Sequence, residues 1–210
     1  MNTANSPMHV LGVSTSPRLE GNSDTLLRAV LQGAQSAGAD VDHLWLGHAR
    51  LGFCTECNFC YTTGTCKIAD DFQPTMQRIL AADRLVLATP VYFAGFCAQA
   101  KRLIDRCQAY WVRHHQMGIT PPRDPARHSA SLLAAGRDNA PGHFASLQKT
   151  KEILCAALGF GQAPDLYVGA VVHRGDIVSH TSAQARAEQL GHNLVKSDPS
   201  ILQEAADIYL

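Results

Sequence analysis

Four cysteines crowd one short stretch of the chain, at Cys54, Cys57, Cys60 and Cys66. The spacing Cys-x2-Cys-x2-Cys-x5-Cys sets three thiolates at successive intervals of three, with a fourth close behind. Bacterial ferredoxins open on the same run, because thiolates so spaced can wrap a cubane of iron and sulfide. Structural zinc more often takes two cysteine pairs held a dozen or more residues apart. A 4Fe–4S cluster, free or redox-active thiols, and zinc all stay open for an all-sulfur donor set. A second group with chemical potential is Ser14 to Ser23. Ser16, Asn22 and Ser23 offer side-chain donors and Arg18 a full positive charge, which together suit an anion. A third is Thr89-Pro90-Val91-Tyr92-Phe93-Ala94-Gly95, where Pro90 stiffens the chain, two aromatics offer a flat surface and Gly95 permits close approach.

These groups need elements to position them. Met8 to Val13 is a short apolar run that fits a buried strand, and Leu26, Leu27, Val30, Leu31, Ala34 and Ala37 then recur at helical spacing from Asn22. Val41 to Leu46 reads as a second strand, followed by the cysteine-rich loop at 50–69. Asp70 and Asp71 open a helix at its positive end. Leu85 to Thr89 is apolar nearly throughout, the mark of a strand covered on both faces. One long helix is expected from Cys97 to His115, with Cys97, Cys107 and Cys155 as small core hydrophobes. A proline-rich loop follows, then a strand at Ser131 to Ala135, a helix at Phe144 to Leu158, a strand at Leu166 to Val172 and a helix at Ser182 to Lys196. A last short helix is expected at Ile201 to Tyr209. Strand and helix alternate five times, which predicts an α/β fold: a doubly wound five-stranded parallel sheet of order 2-1-3-4-5. Residues 1–7 read as a flexible N-terminus, 8–197 as the domain and 198–210 as a C-terminal helical extension.

In such a sheet ligands sit beyond the carboxyl ends of the strands, at the switch point between strands one and three. The loops after Val13 and Thr89 meet there. The first joins a buried strand to a helix N-terminus, where free N–H groups and the helix dipole favour an anion. It carries neither the Gly-Lys-Ser/Thr of a nucleoside-triphosphate loop nor a G-x-G-x-x-G dinucleotide fingerprint. A phosphate cradle beside an aromatic wall suits flavin mononucleotide (FMN), and not FAD.

Thr15-Ser16-Pro17-Arg18, Gly21-Asn22-Ser23, the cysteine run with Asp70-Asp71, Ala82-Asp83, Pro90-Val91-Tyr92-Phe93 and Lys101 with Asp105-Arg106 occur in that order. This series resembles the flavodoxin-like NAD(P)H-dependent FMN reductases, and within them the iron–sulfur flavoproteins, over nearly the whole chain. The resemblance implies that Ser16, Arg18, Asn22 and Ser23 hold the FMN phosphate. It implies that Pro90, Val91, Tyr92 and Phe93 line the ribityl chain and ring, and that Gly136 and Arg137 approach the isoalloxazine. Cys54, Cys57, Cys60 and Cys66 would form one redox or metal unit near the flavin edge. Thr15 replaces the usual Gly, where a side chain pointing outward would not abolish binding, and Glu56 stands where the family often has Gly. The implied activity takes hydride from NAD(P)H and passes electrons to a quinone, a flavin or another small-molecule acceptor. The alternatives are an electron carrier that exchanges electrons with ferredoxin, and a thiol-based redox or metal sensor.

The rest of the composition excludes more than it proposes. The 210 residues balance eighteen Lys and Arg against eighteen Asp and Glu, so the chain lacks the basic footprint of a nucleic-acid binder. No apolar run reaches the roughly 18 residues of a membrane span, and the first is too short for a signal-peptide core, so a cytoplasmic protein is expected. Lys101, Asp105 and Arg106 read as a helix ion pair. Apolar Ile201, Leu202, Ile208 and Leu210 suggest a homo-oligomer, a dimer or tetramer. No histidine, carboxylate and serine fall in an order that suggests a hydrolase, so no catalytic acid or base is named.

Overall fold

The computed structural model describes residues 6–138, 140–198, 201–202 and 205–210. The parallel strands are β1 (His9–Ser14), β2 (Asp40–Trp45) and β3 (Arg84–Tyr92); β4 (Gly95–Phe96) turns back on β3 as an antiparallel hairpin. Then come β5 (Ser129–Ala135), β6 (Gly161–Gln162), β7 (Leu166–Val168) and β8 (Ile208–Tyr209). The order across the sheet is β2-β1-β3-β5-β7-β8, with β4 on β3 and β6 on β5. The parallel sheet and its switch point between β1 and β3 stand as expected, but among the described residues the sheet has eight strands instead of five.

Alternation within each strand explains the two layers. Leu11, Val13, Leu85, Leu87, Leu132 and Ala134 face one core; Val10, Val86, Ala88, Leu133 and Ala135 face the other. Both faces are apolar, so every such strand needs a helix on each side. The short α2 (Phe59–Thr63) lies within the cysteine-rich loop, and the first face is covered by α3 (Phe72–Ala81), α4 (Ala98–Arg106), α5 (Gln108–His115) and α6 (Ala145–Leu158). The second is covered by α1 (Asn22–Ser36) and α8 (Thr181–Lys196), with the short α7 (Asp176–Ser179) leading into α8. Gly33 and Gly191 let α1 and α8 touch backbone to backbone. A Cβ at Gly33 would lie 1.9 Å from the Glu188 carbonyl oxygen, and one at Gly191 would lie 1.8 Å from that of Val30.

The expected helix from Cys97 to His115 is two helices. Cys107 has φ −65° and ψ −4°, so the turn tightens there, with its N–H shared between the Leu103 and Ile104 carbonyls. The strand expected to run to Val172 ends at Val168, because Ala170 takes a positive φ of 53°. The C-terminal helical extension holds only in part: residues 201–202 are helical, but Ile208–Tyr209 forms β8, parallel to β7. The period there is two. Ile208 and Leu210 turn to the second core, while Tyr209 stacks on Tyr167 with ring centroids 4.9 Å apart. Asp207 fixes the register, accepting the Asp165 N–H at 2.9 Å. Residues 1–5 of the expected flexible N-terminus, and 199–200 and 203–204 of the expected extension, lie outside the described residues. Among the described residues, no helix is long and apolar enough to cross a membrane.

Candidate functional site

At the switch point a cleft of about 320 Å³ opens between the loop after β1 and the end of β3. The loop is shaped by its own polar groups. Ser16 Oγ accepts the Arg18 N–H at 3.1 Å, Gly21 N–H donates to the Arg18 carbonyl at 3.1 Å, and Trp45 Nε1 donates to the Ser16 carbonyl at 2.8 Å. Gly21 caps α1 with no side-chain hydrogen bond, leaving first-turn N–H groups for a ligand. A Cβ on Gly21 would press on Ser16 Oγ at 2.8 Å, so the close approach requires glycine. Ser23 Oγ is buried against the cleft with no hydrogen-bond partner among the described residues. A buried hydroxyl left bare at a helix N-terminus fits an anion that brings its own acceptors.

Asp24 holds the loop from below. Burial alone would raise its carboxyl, but the hydrogen bond with His43 Nε2 at 2.8 Å and the nearby Arg28 hold it at about 2. Its other oxygen accepts the Glu20 N–H at 3.2 Å, steadying Glu20 at φ 55°.

Of the residues expected at the cofactor, Ser16, Arg18, Asn22, Ser23, Pro90, Val91, Tyr92, Gly136 and Arg137 all line this cleft. Phe93 does not: it is fully exposed. Phe93 and Ala94, at φ 51° and 54°, form a two-residue turn between β3 and β4, of the kind that usually takes Asn-Gly. That turn points Phe93 into solvent, while Ser146 Oγ donates to the Ala94 carbonyl and braces it. The Asn22 side chain is already engaged. Its Nδ2 donates to the His173 carbonyl at 2.7 Å and its Oδ1 accepts the Gly175 N–H at 2.9 Å, tying α1 to the segment after β7. That segment supplies residues the sequence reading missed, Val171, Val172 and Arg174. Val171 is set by its N–H to the Gly136 carbonyl at 2.9 Å. Thr15 points inward, not outward: it is fully buried, its hydroxyl bonded to the Ala88 carbonyl at 2.9 Å with the Cys97 thiol beneath. Gly136 lies so near Val91 that a Cβ would come within 3.1 Å of the valine Cβ.

A separate cavity of about 560 Å³ lies between the cysteine-rich loop and α4, α5 and α6. Cys54, Cys57, Cys60 and Cys66 all line it, with Arg106, Lys67, Ile104 and Trp111. The Phe59 N–H lowers the Cys57 thiol below its ordinary value; burial and the neighbouring Cys54, Cys57 and Cys66 raise that of Cys60. Among the described residues no three His, Cys, Asp or Glu side chains gather tightly enough to hold one metal ion. The four donors lining it are all sulfur, a set that either zinc or an iron–sulfur group accepts. Among the described residues, the two cavities share no lining residue. Arg106 is no partner of its helix neighbours. Lys101 pairs with Asp105 at 2.5 Å, while buried Arg106 turns to Asp70 at 2.6 Å. Cys97, Cys107 and Cys155 are buried as expected, and burial pushes the Cys107 and Cys155 thiols up to about 12.

The family pattern described as NADPH-dependent FMN reductase matches residues 8–171. The chain belongs to that family. Among relatives of this family member, an iron–sulfur flavoprotein of Methanocaldococcus jannaschii is 39% identical over 99 residues, 47% of this chain and 51% of that protein. One of Methanosarcina thermophila is 32% identical over 99 residues, 47% of this chain and 52% of that protein. The chain thus spans about half the length of the curated relatives it matches. Among solved structures, a flavone reductase superposes with a TM-score of 0.68 at 22% identity, over 95% of this chain and 67% of that one. An NAD(P)H:quinone oxidoreductase of Methanothermobacter marburgensis gives 0.66 at 19% identity, over 90% of this chain and 98% of that one. At such identities these two speak for the flavodoxin-like fold.

Proposed function

We propose that the chain is an FMN-dependent oxidoreductase that takes hydride from NAD(P)H and passes electrons to a quinone, a flavin or another small acceptor. The observation that carries this reading is the orphaned Ser23 hydroxyl beside the uncapped N-terminus of α1, inside the cleft. Bound there, FMN would supply the hydride and electron chemistry. Ser16, Ser23, Arg18 and the first N–H groups of α1 hold its phosphate. Pro90, Val91 and Tyr92 flank the flavin, and Gly136 allows it to approach the backbone. Asn22 acts through the 173–175 segment, which it pins so that Arg174 and Val172 close the far wall. Arg137 adds positive charge for an anionic coenzyme, while Arg174 is held by Glu20 at 3.7 Å and the Leu19 carbonyl at 3.1 Å.

A second reading is favoured by the four thiols that line one cavity. In it the chain is an iron–sulfur flavoprotein, with Cys54, Cys57, Cys60 and Cys66 holding a 4Fe–4S cluster and ferredoxin as electron partner. Heat release of the cofactor, followed by anaerobic assay of NADH and NADPH oxidation with a panel of acceptors, tests both. FMN with turnover on a small acceptor supports the reductase. FMN with iron and labile sulfide, and turnover only with ferredoxin, supports the carrier. FAD, or no flavin after reconstitution, refutes both. We further propose a homo-oligomer; a monomer mass by light scattering at micromolar concentration refutes that.

A further inference from the structure

Arg106 has no part in the flavin cleft, yet its side chain is fully buried against the cysteine-rich loop. Its Nη1 donates to both Asp70 oxygens, at 2.8 and 2.6 Å. Its Nη2 donates to the Ile68 carbonyl at 3.2 Å and reaches Cys66 Sγ at 3.5 Å. The guanidinium lies over the Phe72 ring, 4.2 Å from its centroid. Asp70 also accepts the N–H groups of Gly52 at 2.7 Å and Phe72 at 3.0 Å, so one ion pair ties both ends of the loop to α4. A planar fork that serves a carboxylate, a carbonyl and a sulfur together is a task for arginine and not for lysine.

We propose that Arg106 is the positioning residue of the four-cysteine site, and that its hydrogen bond to Cys66 favours the reduced state of the iron–sulfur group held there. The inference rests on the iron–sulfur reading of the loop. Four thiolates leave such a group with net negative charge, and one-electron reduction adds another. Hydrogen bonds to ligand sulfurs and the local charge set the potential of such groups, and a buried cation is little screened.

The protein is reconstituted anaerobically with ferrous iron and sulfide, assayed for both, and titrated with dithionite as the electron donor against mediator dyes. Arg106→Met is expected to lower the ratio of reduced to oxidised group at fixed potential about tenfold, which is about 59 mV for one electron. Asp70→Asn leaves the guanidinium without its counter-charge and is expected to move the ratio the opposite way. A latch with only a structural role would lower iron content in both variants without moving the potential of what remains, and that result overturns the proposal. Should Arg106→Met fail to hold iron, Asp70→Asn alone decides: a rise supports the proposal, and no rise overturns it. Wild-type protein without iron and labile sulfide would sink the iron–sulfur reading and this inference with it. A loaded wild type with unmoved variants sinks only the role of Arg106.

Discussion

Replacing Ser23 with Ala should pull stability and cofactor affinity in opposite directions. The hydroxyl is buried, and in the ligand-free protein it has no partner. Leaving such a group bare costs on the order of 1 kcal/mol, so Ser23→Ala should leave the ligand-free protein as stable or raise its stability by about that amount. In a domain of this size that is roughly 2–4 °C in Tm. With FMN bound, the same hydroxyl donates to a charged phosphate, worth about 1.5–3 kcal/mol, so the variant should lose roughly 10- to 150-fold in affinity. Calorimetric melting of the stripped protein and fluorescence titration with FMN read the two arms separately. A stripped variant that melts well below wild type would show that Ser23 has a structural partner. An unchanged Kd for FMN would place the phosphate elsewhere.

Other outcomes follow from the same geometry. Asp24 has its carboxyl held at about 2, below its unfolded value, so it contributes stability above about pH 4 that is lost as pH falls through about 2. That contribution is about 2 kcal/mol, and the urea-unfolding gap between wild type and Asp24→Asn should close between pH 5 and pH 2. Gly191→Ala puts a Cβ 1.8 Å from the Val30 carbonyl oxygen, with backbone on both sides. It should cost about 3 kcal/mol or more in urea, and a neutral result would mean that α1 and α8 separate at little cost. Replacing all four loop cysteines with Ser should abolish iron uptake while FMN content stays within twofold of wild type, as metal analysis and flavin absorbance would show.

Much of this was legible in the sequence because local chemistry and topology agreed. An apolar strand, a run of hydroxyls and amides, and an amphipathic helix are consecutive, so the loop that lines the cleft could be placed from the sequence. What escaped depends on partners far along the chain. Arg106 looks like one member of a helix ion pair until Asp70, 36 residues earlier, is folded beside it. Asn22 looks like a phosphate donor until the 173–175 segment arrives to take both ends of its amide. Phe93 was misplaced because nothing in the residue types announces a turn with two consecutive positive φ values at Phe and Ala. Ile208 and Leu210 flank Tyr209, a period of two too short to outweigh a helical reading. Val171 and Val172 were hidden by the expectation that β7 runs on to 172, which would have drawn them into the sheet.

Among the described residues, none is common to the cleft at the switch point and the cysteine-lined cavity, and this has a consequence for heredity. Side chains that share no partner contribute almost additively, so a change at one centre leaves the free energy of the other nearly untouched. A lineage could then discard its thiols, or exchange the group they hold, one substitution at a time, without passing through an ancestor unable to bind flavin. The cysteine loop, anchored at its two ends by Asp70, would then be a detachable cassette on the α/β scaffold.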